Sequence, residues 1–255
     1  MRSIFSIVLG AVATVVAGRV SEYPAGAGFV SPGIDGETYP AVLISGHGLK
    51  KDVILTRGSA LYSDTLDEFG QRVLQEEVLN DMKFSAHSGK RDLNSDLMGG
   101  PVIAAQYFLD VNNSNARDFA FVQLGKSLGQ CGVSYIGNSS QVGNQLNEVS
   151  SDGKKLMPPA CRKVDKMFFD EYGNQLFKLE GSVKPGSLYF NQKHQLVGVG
   201  TDDDLVFGSD NMADTLSIAH RKIYQGEDPE DAKRITTKGC NMHPNYKPSC
   251  KASLG

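Results

Sequence analysis

The alternation of apolar and polar positions is clearest in the C-terminal half of the chain, where it predicts short antiparallel strands. Residues 167–170 and 175–181 flank the turn-like sequence Glu171-Tyr172-Gly173-Asn174, a pattern typical of a β-hairpin. The Pro185-Gly186 pair then turns the chain. Three further short apolar runs follow, at residues 187–191, 195–200 and 205–208. The pattern therefore predicts an antiparallel meander of about five strands.

Two other segments repeat apolar residues at helical spacing instead. Residues 65–82 begin with Thr65 and Glu68, which match a capping box. A second predicted helix begins at Ser209 or Asp210 and ends at Gly226. The apolar stripes that would face a core are Tyr62, Leu66, Phe69 and Val73 in the first segment, and Met212, Leu216, Ala219 and Ile223 in the second.

Together these elements predict a disulfide-stabilised α+β fold, in which an antiparallel β-meander sheet is packed by two amphipathic helices. This single α+β domain would span residues 41–226 and would include a hairpin formed by two apolar runs on either side of His47. Residues 19–40, rich in Gly, Pro and Ala, predict an extended N-terminal segment. Residues 227–255 predict a polar C-terminal tail tied down by a disulfide.

The first 18 residues have the organisation of a secretory signal peptide. Arg2 provides the positive start, residues 4–16 are almost wholly apolar, and Ala17 and Gly18 are small residues suited to a cleavage site. The apolar run is shorter than the roughly 20 residues that a membrane span needs. The sequence therefore predicts a secreted, extracellular chain with no membrane association after removal of residues 1–18.

Secretion changes how the four cysteines are interpreted. An even number of cysteines in an oxidising compartment indicates disulfides, and short loops favour the pairs Cys131–Cys161 and Cys240–Cys250. A zinc site near His243 is the alternative, but the paired short spacings of structural zinc modules are missing. No metal and no cofactor is therefore predicted.

Three short motifs fit the same compartment. Asn112 and Asn138 each begin an Asn-x-Ser triplet, so both are candidate glycosylation sites of a glycoprotein. Lys90 and Arg91 form a dibasic pair in a polar, glycine-containing loop, where a processing protease could cut. The alternative is an ordinary solvated basic pair.

Composition excludes some partners. The chain is 40% hydrophobic and 22% charged, with a net charge of −3, which argues against disorder and against a nucleic-acid or anionic-membrane surface. The absence of tryptophan weakens the case for a sugar-stacking site. The predicted partner is therefore an unidentified extracellular ligand or cell-wall component.

Candidate catalytic residues are few. No nucleophile elbow and no phosphate-binding loop is present. His47 lies between two glycines and is the first histidine to test, with Asp118, Asp170 or Asp202 as its acid–base partner. The cluster at residues 202–204 has the charge for calcium, but consecutive residues point to opposite sides, which favours a solvated turn.

Two segments resemble parts of the chymotrypsin-like proteases. RDFAFVQL (residues 117–124) resembles the segment that holds their catalytic Asp, and GSLYFNQKHQLVGVG (residues 186–200) resembles the strand pair after their nucleophile. However, Lys184-Pro185-Gly186-Ser187 replaces the serine-bearing motif, and residues 57–60 replace the segment with the histidine. These missing residues exclude an active protease of this type, so what the resemblance implies is a catalytically dead homologue.

These observations favour a secreted extracellular structural or binding protein, associated with a cell wall, matrix or host surface and without an evident catalytic motif. The C-terminal meander also resembles those of small secreted fungal cell-wall proteins. Two alternatives stay open. One is a secreted hydrolase that uses a His/Asp acid–base pair, and the other is the dead chymotrypsin-like homologue.

Overall fold

The computed structural model describes residues 23–24, 26–32, 34–46, 49–87, 93–97, 102–110, 117–128 and 141–224, and the protein is mainly β. The N-terminal unit contains β1 (Ala27–Ser31), β2 (Tyr39–Gly46), β3 (Leu49–Thr56), β4 (Tyr62–Leu66), β5 (Arg72–Leu74), α1 (Glu76–Leu79), β6 (Lys83–Ala86), β7 (Leu93–Asp96), β8 (Ile103–Ala104), α2 (Gln106–Leu109) and β9 (Ala120–Gln123). The C-terminal unit contains β10 (Gln145–Val149), β11 (Ala160–Phe169), β12 (Gln175–Leu179), β13 (Leu188–Phe190), β14 (Leu196–Gly200), β15 (Val206–Gly208) and α3 (Ala213–Ile223).

The N-terminal unit is built on one antiparallel sheet with the strand order β7-β6-β1-β2-β3-β9-β8. Its central strands are buried on both faces, since consecutive residues such as Leu43, Ile44, Val53 and Ile54 are all fully buried. Because both faces are covered, these strands lack the apolar–polar alternation of a half-exposed sheet. β4 and β5 pair separately as a two-stranded hairpin.

The C-terminal unit is a closed barrel with the strand order β10-β11-β12-β15-β14-β13. Successive side chains of a strand point to opposite faces, and here both faces are buried. Tyr189 and Val197 belong to the cluster inside the barrel, whereas Leu188, Phe190 and Leu196 join the core that continues into the N-terminal unit. The two units therefore share a continuous apolar core.

The predicted fold class, an α+β domain with one meander sheet and two amphipathic helices, is wrong. The protein has two β units, and in the barrel β12 pairs with β15 rather than with β13, so the strands do not follow a simple meander. No disulfide has both of its cysteines within the described residues. Cys161, in β11, is disulfide-bonded, and the pairing stays a prediction because Cys131, Cys240 and Cys250 lie outside the described residues.

The predicted first helix, residues 65–82, is the main source of this error. The segment forms part of the β4–β5 hairpin, and Asp67 holds the turn by accepting hydrogen bonds from the backbone N–H groups of Phe69 and Gln71. Gly70 has φ +73°, a left-handed conformation that a helix interior does not contain. Phe69 is 78% exposed, and only the single turn of α1 is helical.

Two other predicted elements are confirmed. The β11–β12 hairpin has the register Phe168↔Leu176, and its turn contains Gly173 at φ +78°. α3 places its predicted stripe against the core, because Met212, Leu216 and Ala219 are buried. α3 follows a 3-10 turn at Ser209–Met212.

Several predicted features have no structural test here. Residues 1–18 with Ala17 and Gly18, and also His47, Lys90, Arg91, Asn112, Asn138 and residues 227–255, lie outside the described residues. Part of the predicted N-terminal segment, residues 27–31, forms β1 inside the sheet. Within the described ranges, no helix has both the length and the apolar character needed to cross a membrane.

Candidate functional site

The candidate site lies where β3 ends and β9 begins. These strands pair antiparallel with Thr56 opposite Ala120, so the chain that leaves β3 runs beside the chain that enters β9. A 3-10 turn, Gly58–Ala60, follows β3 directly. This arrangement brings Arg57 and Ser59 against Asp118 from the other strand.

Asp118 is held by three donors. Its carboxylate accepts hydrogen bonds from Arg57 Nε at 2.6 Å, from the Ser59 backbone N–H at 2.7 Å and from Ser59 Oγ at 2.8 Å. The residue is 5% exposed. A carboxylate this deeply buried is accommodated only when it is paired with a charge and hydrogen-bonded. Asp118 is therefore fixed in orientation by the turn that follows β3.

Arg57 connects this cluster to the C-terminal unit. Its Nη2 lies 2.9 Å from Asp202 Oδ1, beyond the end of β14. Its aliphatic stem packs on Gly186, where an added Cβ would lie 2.8 Å from Arg57 Cδ. Gly186 also has φ +73°. Only glycine fits both requirements, so the contact between Arg57 and residue 186 is part of how the two units join.

The charges at Arg57 are coupled. Burial disfavours the charged guanidinium, but the carboxylates of Asp118 and Asp202 outweigh it, so the pKa of Arg57 is raised. Burial raises the pKa of Asp202, and repulsion from Asp118 adds to this effect against the attraction of Arg57. Arg57 is therefore a permanent cation, and Asp202 binds a proton more readily than an ordinary aspartate.

The sequence Lys184-Pro185-Gly186-Ser187 forms a closed turn beside Arg57. The Ser187 backbone N–H donates to the Lys184 carbonyl at 3.1 Å, and the Gly186 N–H donates to the Gly200 carbonyl at 2.9 Å. Proline followed by a positive-φ glycine is the signature of a type II turn. The N–H groups of residues 186 and 187 are therefore used within the fold, and Pro185 has none to offer a ligand.

A cleft of about 490 Å³ opens beside the cluster. The Tyr39 hydroxyl donates a hydrogen bond to the Asp35 carboxylate, and burial together with that carboxylate raises the pKa of Tyr39. Burial alone raises the pKa of Tyr62 to about 12. No histidine is found among the described residues that line the cleft, which are Ile34, Asp35, Tyr39, Arg57, Ser59, Tyr62, Ser63, Asp64, Arg72 and Asp202.

The structure brings together two of the predicted catalytic residues. Asp118 and Asp202 meet through Arg57, whereas Asp170 lies in the β11–β12 turn, where its carboxylate is 3.5 Å from Arg117 Nη2. His47 lies outside the described residues, so its distance from these carboxylates is not described.

The acidic run at residues 202–204 does not converge on one point. Asp202 faces Arg57, whereas Asp204 accepts a hydrogen bond from the Val183 backbone N–H at 2.6 Å. Arg57 and Ser59 are the site residues that sequence reasoning did not single out. Their signal in the sequence is that residues 57–60 replace a histidine-bearing segment directly after β3.

Comparison with known proteins supports the fold. No protein-family model and no curated protein matches the sequence. A structure of Glu endopeptidase in complex with MPD has a TM-score of 0.53 at 16% identity, covering 80% of this chain and 94% of that one. Deg5 has a TM-score of 0.50 at 13% identity, covering 74% of this chain and 86% of that one. HBP has a TM-score of 0.50 at 11% identity, covering 80% and 93%. The architecture is therefore the chymotrypsin fold, with two β-barrel or half-barrel domains and one C-terminal helix.

Proposed function

We propose that this chain is a chymotrypsin-fold protein without peptidase activity, which acts outside the cell by binding a partner. One observation carries the proposal: among the described residues, the side chains that donate hydrogen bonds to Asp118 are those of Arg57 and Ser59. In serine peptidases the buried aspartate orients an imidazole, which takes the proton of the attacking serine. The Ser59 hydroxyl cannot take this role, because a serine hydroxyl is a far weaker base than imidazole, whose pKa is about 6.5.

The turn at residues 184–187 supports the same proposal. Peptide hydrolysis needs an exposed nucleophile and backbone N–H groups directed at the developing oxyanion. Lys184-Pro185-Gly186-Ser187 stands where the resemblance implies the serine motif, and the N–H groups of Gly186 and Ser187 already donate to carbonyls of this chain. The serine of this segment, Ser187, is 1% exposed, so the segment offers neither an exposed nucleophile nor free donors.

The binding part of the proposal rests on the cleft and on the predicted secretion. The cleft keeps charged and aromatic side chains beside a cluster whose described residues include no histidine, which suits recognition without turnover. HBP is described as human heparin binding protein. The net charge of −3 does not favour a polyanion such as heparin for this chain. A neutral or mixed-charge extracellular ligand fits the composition better.

Assays of the secreted chain test the proposal. We expect no labelling by a fluorophosphonate probe and no cleavage of a peptide library above the rate without protein. An active serine peptidase measured in parallel shows that the assay detects turnover.

Reproducible cleavage that disappears in Ser59→Ala or Asp118→Asn would overturn the proposal, provided that circular dichroism shows both variants folded. Cleavage that disappears in His47→Ala would also overturn it, and would favour the alternative hydrolase that pairs His47 with Asp118 or Asp202. Purification from culture medium with residues 1–18 removed tests the predicted localisation, and retention inside the cell would contradict it.

A further inference from the structure

A second pocket, separate from the Arg57 cluster, lies between the two units. It has a volume of about 430 Å³, within the range of small-ligand sites. Its lining comes from six separate parts of the chain: Tyr62, the β8–α2 region, Arg117, the β11–β12 turn, Phe207, and the segment from Asn211 through α3. Tyr107, Tyr172 and Ile218 give it exposed apolar walls, and Phe207 is a buried part of the lining.

Arg117 is the buried cation of this pocket. Its side chain is 8% exposed, and its guanidinium carbon lies 3.6 Å from the centroid of the Tyr107 ring and 5.4 Å from that of Tyr172. Stacking on aromatic faces satisfies the π surface of the guanidinium but none of its N–H groups. Among the described residues no acceptor forms a hydrogen bond with Arg117, although one carboxylate oxygen, Asp170 Oδ2, lies 3.5 Å from Nη2. A guanidinium on a side chain this deeply buried normally has a hydrogen-bond partner.

Asp170 does not supply that partner, because its carboxylate is engaged by its own turn. Oδ1 accepts hydrogen bonds from the backbone N–H groups of Tyr172 and Asn174, and both oxygens accept from Asn174 Nδ2 at 2.8 and 2.7 Å. Although burial opposes the charge, these hydrogen bonds and Arg117 lower the pKa of Asp170. Asp170 therefore offsets the charge of Arg117 without forming a hydrogen bond with it, and the N–H groups of the guanidinium remain available to a ligand.

The rim of the pocket is one face of α3. Asp214, Ile218 and Lys222 follow one another at four-residue spacing, so their side chains lie along the same side of the helix. Lys222 is exposed and adds a second cation to the lining, whereas Asp214 is the one carboxylate among the lining residues. The two lie eight residues apart, about 12 Å along the axis. One end of the rim therefore favours an anion.

We propose that this pocket binds a carboxylate group carried on an aromatic or aliphatic body. The carboxylate would accept two parallel hydrogen bonds from Arg117, the geometry for which a guanidinium is suited, and the body would lie between the tyrosines and Ile218. The ligand is a polypeptide C-terminus with an apolar last residue or a free aryl or alkyl carboxylic acid, which share this chemistry. The site goes beyond the proposed function and does not depend on whether the chain has peptidase activity.

Titration of the ¹⁵N-labelled full chain by NMR tests the site with two matched pairs of probes. One pair is 3-phenylpropionate and 3-phenylpropanamide. The other is acetyl-Ala-Ala-Phe with a free C-terminus and the same peptide amidated. We expect each carboxylate to bind at least tenfold more tightly than its amide, with shifts at the backbone N–H groups of Asn174 and Ile218. Tighter binding of the peptide or of the small acid identifies the source, and either supports the site.

Three variants locate the contact. Arg117→Met should remove the tenfold preference for carboxylate over amide. Lys222→Glu, at an exposed rim position that leaves the core intact, should weaken carboxylate binding at least threefold even if Arg117→Met does not fold. Arg221→Ala changes a neighbouring cation outside the lining and should bind as the native chain does. Equal binding of acid and amide, or an undiminished preference in folded Arg117→Met, would overturn the site.

Discussion

The two arginine clusters of this protein differ in how fully their charges are satisfied. Arg57 is bonded to two carboxylates and packs on Gly186, and it joins the two β units. Arg117 is more deeply buried, yet it is stacked on aromatic rings and has one carboxylate oxygen at 3.5 Å. An arginine paired with two carboxylates serves the structure, whereas a buried arginine with available N–H donors is suited to a ligand. Mutation should therefore cost stability at the first cluster and affinity at the second.

Removing the charge of Asp118 should give the largest effect. Asp118→Asn leaves Arg57 partly buried without its main partner, and breaking a buried ion pair costs about 3 kcal/mol or more. Urea denaturation of the folded chain measures this loss. Asp64→Asn is the matched control, because Asp64 is 97% exposed in its side chain and lies 3.8 Å from Arg72. Its cost should be below about 0.5 kcal/mol. Equal costs for the two variants would contradict the structural role of Asp118.

Replacing Gly186 tests the packing of Arg57 separately from its charge. Gly186→Ala forces a side chain into a left-handed conformation, costing about 1 kcal/mol, and also places a Cβ 2.8 Å from Arg57 Cδ. Gly173→Ala has the same backbone penalty at φ +78° but meets nothing within 4 Å. We expect the first variant to be less stable than the second by about 1 kcal/mol in thermal or urea unfolding. Indistinguishable stabilities would show that the Arg57 contact adds nothing.

How much of the fold the sequence could predict differs between the two units. α3 and the β11–β12 hairpin were predictable because each has a short-range signal: a stripe at helical spacing, or a turn sequence between two apolar runs. The N-terminal sheet was not, because its central strands are buried on both faces and show no period of two. Residues 65–82 were misassigned because a capping-box pattern outweighed Gly70, whose positive φ makes the turn.

The candidate site was predictable only in part. Asp118 was predictable because residues 117–124 resemble the segment that holds the catalytic Asp of chymotrypsin-like proteases. The absence of the histidine and serine motifs was also visible in the sequence. Arg57 links Asp202 to Asp118 because of how the two units pack, and no local sequence pattern encodes that packing. The Arg117 pocket could not be predicted for the same reason, since its lining comes from six separate segments between residues 62 and 222.

Asp202 should respond differently from Asp118, although both bind Arg57. Its pKa is raised in the folded state by burial and by Asp118, so the folded chain holds a proton more tightly than the unfolded chain. Stability contributed by this group is therefore gained as pH falls through the folded pKa, above the usual value near 4, and is absent at neutral pH. Asp202→Asn should change stability at pH 7 by less than about 1 kcal/mol.

The measurement is a urea midpoint series from pH 4 to pH 7 on the native chain and on Asp202→Asn. The native chain should lose stability relative to the variant as pH rises across this window, because only the native chain has to ionise residue 202. A difference that runs the other way, with Asp202 increasingly stabilising toward neutral pH, would show that Arg57 outweighs burial at this carboxylate. Asp118 and Asp202 would then both stabilise the folded chain at neutral pH through Arg57.

The smallest expected effect concerns Asp214 at the rim of the Arg117 pocket. Its carboxylate is exposed, so it repels a bound anion only weakly through water. Asp214→Asn should therefore tighten binding of 3-phenylpropionate about twofold, or about 0.4 kcal/mol, while leaving 3-phenylpropanamide unchanged. NMR titration at low ionic strength gives both constants. The gain should disappear at high salt, because only an electrostatic effect is screened, whereas a gain that persists or that extends to the amide would mean that residue 214 shapes the pocket rather than its charge.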